Sequence, residues 1–332
     1  MAGTLIIALS LISQLVGSGS TGYTFVKLGI GVRPVAMGGA FSALSDDGNA
    51  VFWNPSGLGI ISSYFVSGMA MNHLTFWDYY NLTSAIPIGK KSGALGIGIS
   101  YLTAEDDFYS ERGEQGEPFR NSDMLLNIGY GRAIGRKQAI AIGGALSIVR
   151  SQLYKYSAFG ALLDVGFIIH PYKYLYLGTV LKNIGTPRRF IDMWEYPPVN
   201  FRQGIAVKIP FGESHTALSF DYSVYPDVRT TFSLGAEVRL RSISLMETLG
   251  QDRISGFALM GGYHYSSSEM VPVGYSIGAW SGFSLGASIE LWMVKGFYLD
   301  IAALLLSYGY LGSSERIALG LNYVPTQGKT KK

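Results

Sequence analysis

Apolar residues alternate with small or polar ones along most of this chain, and no segment past the first twenty-six residues sustains a 3.6-residue apolar period. In 123–133, Met124, Leu126, Ile128 and Tyr130 fall on one face. Asp123, Asn127, Gly129 and Gly131 fall on the other. In 217–224, Leu218, Phe220, Tyr222 and Val224 oppose Ala217, Ser219, Asp221 and Ser223. The same division runs through 231–240 and 316–324. The pattern predicts fourteen strands: 62–72, 75–87, 92–103, 119–134, 137–150, 158–170, 172–184, 198–210, 214–224, 229–240, 253–265, 280–293, 295–308 and 314–324.

Alternation alone does not say which face looks at water, but strand length does. Many segments run ten residues or more, where soluble strands usually run about five to six and a tilted membrane strand needs about 9–11. Composition points the same way. Charged residues make up 15% of the 332 positions, against about 25% in soluble domains. With 43 Gly, 22 Tyr and 17 Phe, and aromatics at strand ends such as 108–110, 172–177 and 307–310, the expected fold is all-β, a transmembrane antiparallel barrel. The even strand number puts both chain ends on one side. Short turns at 89–93, 135–138, 170–173, 211–214 and 294–296 alternate with loops at 104–118, 151–157, 185–197 and 266–279, which are read as long. Short turns belong on the periplasmic side and long loops outside. The connection 241–252 is long for a periplasmic turn and has room for a small helix.

The chain divides into four parts. Residues 1–20 contain an apolar run, 4–16, followed by small residues 17–20. The run is too short for a membrane helix and reads as a secretory signal that lacks the usual basic start. Residues 21–60 form an N-terminal segment, 61–325 the barrel, and 326–332 a polar tail.

By alternation the inward face carries Asp164, Arg202, Lys208, Asp221, Glu237, Arg239, Glu290, Asp300 and Arg316. Charges of both signs inside a barrel read first as a bracing network, with a selective path as the alternative.

The Gly-rich stretch 27–59 is the most distinctive part of the chain. Met37-Gly38-Gly39-Ala40 allows close backbone packing. Asp46-Asp47-Gly48-Asn49 is turn chemistry. Trp53-Asn54-Pro55-Ser56-Gly57-Leu58 sets an aromatic beside an Asn-Pro turn, with Gly57 free to take positive φ. Together with Gly31, Arg33, Phe41 and Ala50, these residues resemble the N-terminal signature of the PorV/PorQ family, within the wider FadL-like group of outer-membrane barrels. Ser56 departs from the usual Ala. The resemblance covers about thirty residues and implies a fourteen-stranded barrel plugged from the periplasmic side by Arg33, Met37, Gly38, Gly39, Asp46, Asp47, Asn49, Trp53, Asn54, Pro55 and Gly57. It further implies a role in type IX-like protein secretion or surface attachment, with secreted cargo or other secretion components as partners. FadL-like transport of a hydrophobic small molecule is the alternative, and a structural barrel with a sealed lumen the third reading.

Other chemistry is thin. There is no cysteine, and His73, His170, His215 and His264 share no metal-ligand spacing. The acidic run Glu105, Asp106, Asp107, Glu111, Glu114 and Glu117 lies in an expected outer loop and could bridge lipopolysaccharide. Residues 89–92 lack the first glycine of a phosphate loop, since position 84 is Ser. No Ser-His pair suits catalysis and no basic stripe suits nucleic acid. The expectation is a non-enzymatic protein of the bacterial outer membrane, without metal or cofactor, whose surroundings are membrane lipid and lipopolysaccharide.

Overall fold

A computed structural model describes residues 21–73, 77–89, 92–109, 115–135, 139–226, 230–241, 254–266, 281–309 and 312–325. The apolar run of 1–20, the tail 326–332 and most of the connections 241–252 and 266–279 lie outside the described residues.

The chain is a closed antiparallel barrel of fourteen strands. In chain order they are β1 (Tyr64–His73), β2 (Trp77–Gly89), β3 (Gly93–Tyr109), β4 (Gln115–Ile134), β5 (Ile140–Leu153), β6 (Tyr156–Tyr172) and β7 (Leu175–Gly185), then β10 (Asn200–Phe211), β11 (Ser214–Val224), β12 (Thr230–Arg241), β13 (Ile254–Ser266), β14 (Phe283–Val294), β15 (Phe297–Ser307) and β16 (Ser313–Tyr323). β1 pairs with β16 and closes the ring. Between β7 and β10 a separate small hairpin forms from β8 (Arg188–Phe190) and β9 (Met193–Glu195).

Most strands keep period two over their membrane-height stretch. In β12, Phe232, Leu234, Ala236, Val238 and Leu240 are exposed, while Thr231, Ser233, Gly235 and Glu237 are buried. Large apolar side chains therefore cover the outside, among them Leu82, Ile128, Leu146, Leu285 and Leu319. A water-soluble monomer rarely exposes so continuous an apolar surface. The tight turn between β10 and β11 needs Gly212, whose φ is 65°, at a position where hairpin turns demand positive φ.

Two loops read as long are hairpins instead. β3 and β4 continue pairing as far as Tyr109 and Gln115, and β5 and β6 meet at Leu153 and Tyr156. Beyond Leu102 the sequence runs Thr-Ala-Glu-Asp-Asp without apolar alternation, while the backbone ladder continues. The 185–197 connection holds the β8–β9 hairpin. The cross-strand register also shifts between β6 and β7 near Leu163–Val165.

Candidate functional site

Residues 21–60 thread the whole lumen. Thr21 bridges Tyr196 at the long-loop end, and Gly22 N donates to Tyr196 O at 2.9 Å. The Tyr23 hydroxyl donates to Thr186 O at 2.8 Å, with the Arg188 guanidinium 4.3 Å over its ring. At the other end Ile60 packs on Ala133, Ala141 and Ile168 beside the short turns. Between these ends lie only short helical turns, at Thr24–Lys27, Val32–Ala36, Ala50–Trp53 and Pro55–Ile60. The last is set by sequence: the Asn54 side chain accepts from Ser56 N, and Pro55 occupies the first position, where its missing N–H costs nothing.

So little regular structure leaves backbone groups that must find partners. The wall supplies them. Asp221 Oδ2 accepts from Phe41 N at 3.2 Å and Ser42 N at 3.0 Å. Arg202 donates to Gly39 O at 3.1 Å and Ser284 to Ala36 O at 2.9 Å. Arg316 donates to Gly29 O and Lys182 to Phe52 O. Within the segment, Trp53 Nε1 donates to Ile30 O at 2.8 Å and Asn54 Nδ2 to Ser42 O at 2.8 Å.

Close approach explains the glycines. Gly38 has φ 63°, and a Cβ there would lie 2.5 Å from Tyr263 N and 2.6 Å from Leu234 O. On the wall opposite, Gly235 and Gly262 are bare toward Met37 and Gly38. Gly57 does not take positive φ. Its need is space, because a Cβ would lie 1.9 Å from Ser45 O.

The charges gather near the short-turn end. Arg33 Nη1 meets Asp46 Oδ1 at 2.5 Å and Asp47 Oδ2 at 2.9 Å, while its Nε meets Glu237 Oε2 at 2.6 Å. Lys208 reaches Asp46 at 2.6 Å, and His215 reaches Glu237 at 2.8 Å. Arg239 lies 3.5 Å from Glu237 and 3.8 Å from Asp300. Asn49 N and Nδ2 both donate to Asp47 Oδ1 at 2.9 Å. Burial on its own would lower the Arg33 pKa, but the carboxylates of Asp46, Glu237 and Asp47 outweigh it and hold the guanidinium above its ordinary value. Burial on its own would raise Asp46, yet the charges of Arg33 and Lys208 hold its carboxyl well below the usual range.

The remaining inward charges make their own pairs, with Glu290 at the edge of this cluster and the others farther off. Glu290 pairs with Arg241, and Arg202 lies 3.8 Å from Asp221. Asp164 lies 3.9 Å from Lys182 and accepts from Asn183 N at 2.7 Å. Alternation through Gly178 and Val180 does place Lys182 inward, a signal the sequence reading left unused; the register shift falls at Lys182–Asn183 itself. Of the acidic run, Glu105 pairs with exposed Arg120, while Glu111 and Glu114 lie outside the described residues.

The segment leaves two main spaces in the lumen. Toward the short turns a cavity of about 240 Å³ is lined by Arg33, Asp46, Asp47, Lys208, Arg239, Glu290 and Asp300. Toward the long loops a larger one, about 680 Å³, is lined by Leu28, Val35, Trp53, Tyr225 and Leu306, with Arg202, His264, Tyr308 and Arg316 among them. The sequence reading picked out Trp53, Arg202 and Arg316 but not the aromatic remainder. Alternation along β13 and β15 does place His264 and Leu306 inward, which is the signal that was available.

Strand number, closure and the occupied lumen define a fourteen-stranded antiparallel barrel with an N-terminal segment folded inside it. Among solved structures, the chain is similar to the Pseudomonas putida toluene transporter TodX, at TM-score 0.55 and 10% identity over 89% of this chain and 97% of that one. A Pseudomonas aeruginosa FadL homologue gives TM-score 0.51 and 10% identity over 92% and 98%. The Ralstonia pickettii toluene transporter TbuX gives 0.51 and 11% over 89% and 97%. No protein-family model and no curated protein sequence matches the chain.

Proposed function

We propose that this chain is an outer-membrane barrel that admits a small, mainly apolar molecule into the upper lumen cavity. The observation that carries the reading is that cavity: about 680 Å³, walled by Leu28, Val35, Trp53, Tyr225 and Leu306, with the N-terminal segment beneath it. Ligand sites commonly span about 300–1,000 Å³ and combine an apolar lining with a few placed polar groups. Arg316 is such a group. It is 2% exposed, its Nε has no partner, and among the described residues no carboxylate pairs with it. A molecule with one hydrogen-bond-accepting end suits that setting better than a pure hydrocarbon. The shared fold with solved toluene transporters supports the reading, as does the apolar exterior, which suits lipid. No catalytic step is part of it.

Uptake of labelled monoaromatic and medium-chain aliphatic compounds by cells carrying the protein tests this. Uptake should fall when Leu306→Trp fills the cavity. Equal uptake by wild type, variant and empty cells would sink the transport role.

A second reading is supported by the β8–β9 hairpin, which exposes Ile191, Met193, Trp194 and Tyr196 at the long-loop end. Those side chains suit a protein partner, and with the signature in 27–59 they support a PorV/PorQ-like role in secretion or surface attachment. Capture of secreted cargo domains that is lost in Trp194→Ala would favour it over transport.

A further inference from the structure

The outer wall carries a hollow that the lumen does not explain. Across β11 to β14 the outward residues fall in rows fixed by register. In one row Leu218, Ala236, Gly261 and Leu285 are successive cross-strand partners. The next row toward the long loops is Phe220, Leu234, Tyr263 and Phe283. Ala236 and Gly261 thus form a floor. Leu218 and Leu285 are its rails, about 14 Å apart at three inter-strand spacings. The bulkier row closes one end. The hollow so enclosed has a volume of about 900 Å³.

The protein's own packing does not require this floor to be bare. Gly261 has no positive φ, and a Cβ there would meet nothing nearer than Ser284 O at 3.9 Å. Its neighbour Gly262 differs, since a Cβ there would lie 2.0 Å from Gly38 N. A glycine inside a strand weakens it and often marks a place where a ligand comes close. Water is a poor filler, because a bound water needs two to four polar partners. Here the strand peptides are spent in the ladder and the side chains around the floor are apolar. Left empty, the lining would lose dispersion contacts on one side. The apolar material next to it is the bilayer, whose contact band continues above and below the hollow through Leu234, Val238 and Leu259.

We propose that the Ala236–Gly261 hollow is a seat for an acyl chain of a membrane lipid, held there in preference to the rest of the outer wall. The proposal rests on the lipid-facing reading of the exterior and is independent of what enters the lumen.

The test uses the full-length protein in nanodiscs of phosphatidylethanolamine that carries a diazirine midway along one acyl chain, with cross-links mapped by mass spectrometry. Leu218, Tyr263 and Leu285 should be labelled several-fold more than Ile97 and Ile128, which face outward on the opposite wall. Gly261→Leu and Ala236→Leu should each reduce that labelling to the level of the opposite wall. Gly68→Leu, at a bare outward glycine away from the hollow, should not. Heat-modifiable gel mobility reports whether each variant is folded. Equal labelling of the two walls, or full labelling in folded Gly261→Leu, would overturn the seat. Labelling of neither wall would overturn the lipid-facing reading as well.

Discussion

Arg33 in the N-terminal segment closes on Glu237 in the wall of β12, Nε to Oε2 at 2.6 Å, across 204 positions of chain. The same guanidinium holds Asp46 and Asp47, so one side chain ties two turns of the segment to the barrel. Removing one partner of a buried pair costs about 3–5 kcal/mol, because the remaining charges stay buried without compensation. Arg33→Met should therefore lower the melting temperature read by heat-modifiable gel mobility by several degrees. Glu237→Gln should do so less, since the amide still accepts a hydrogen bond. A melting temperature for Arg33→Met equal to wild type would contradict the clamp.

Acid should loosen the same contact. Asp46 is held below the ordinary aspartate pKa of about 3.9 by Arg33 and Lys208. A depressed carboxyl contributes its full stabilisation above the ordinary value and loses it as pH falls from there toward the depressed value. Trp53 emission, which reports the segment's packing, should stay constant from neutral pH to about pH 5 and change below about pH 4. In Asp46→Asn the part of the transition due to this residue should vanish. Loss of packing on raising the pH from 5 to 8 would have the wrong sign.

The close approach at Gly38 depends on having no side chain. In Gly38→Ala the left-handed backbone alone costs about 1–2 kcal/mol, and the Cβ would have to displace Tyr263 N or Leu234 O. The barrel should still form, but with a leakier lumen, seen as higher single-channel conductance in planar bilayers. Gly68→Ala, where a Cβ meets nothing within 4 Å, should conduct like wild type. Equal conductance in both variants would show that the close approach at Gly38 does not seal the lumen.

The wall's two faces should respond differently to charge. Leu319 points outward and is 56% exposed. Leu319→Arg should impair insertion, since a cation at the bilayer midplane costs about 2–4 kcal/mol in a barrel. Asp221→Asn changes an inward residue that keeps an oxygen for Phe41 N and Ser42 N, and should insert normally in a folding assay with lipid vesicles. Equal failure of both would contradict the assignment of faces there.

Much of the barrel could be read from the chain because the exterior forces period two on most strands, as Phe232, Leu234 and Val238 show against Ser233, Gly235 and Glu237. What could not be read lies where that force is absent. Past Leu102 the sequence carries no apolar alternation, so the extension of β3 and β4 left no periodic trace. The hairpin at Arg188–Glu195 packs on Tyr23 and Ser151, long-range contacts that its own sequence does not encode. Inside the lumen, residue identity marked the special positions: Gly38, Asn54 and Arg33 each stand out by type. Their partners Tyr263, Ser42 and Glu237 follow only from the three-dimensional path. The upper cavity was the least legible feature, since its walls come from seven separate elements and from side chains such as Leu306, ordinary in a strand, and Tyr225, just past the end of one.

The proposed role turns on whether the space beside Trp53 and Leu306 receives a ligand. The most direct measurement is calorimetric titration of the purified protein in detergent with a monoaromatic hydrocarbon and with a medium-chain alcohol, in wild type and in Leu306→Trp. Saturable binding to wild type, stronger for the alcohol because Arg316 receives its oxygen, is the expected result. It should weaken at least tenfold, or about 1.4 kcal/mol, in the filled variant at unchanged melting temperature. No saturable binding to wild type, or the same affinity after the cavity is filled, would contradict the assignment of this lumen as the site.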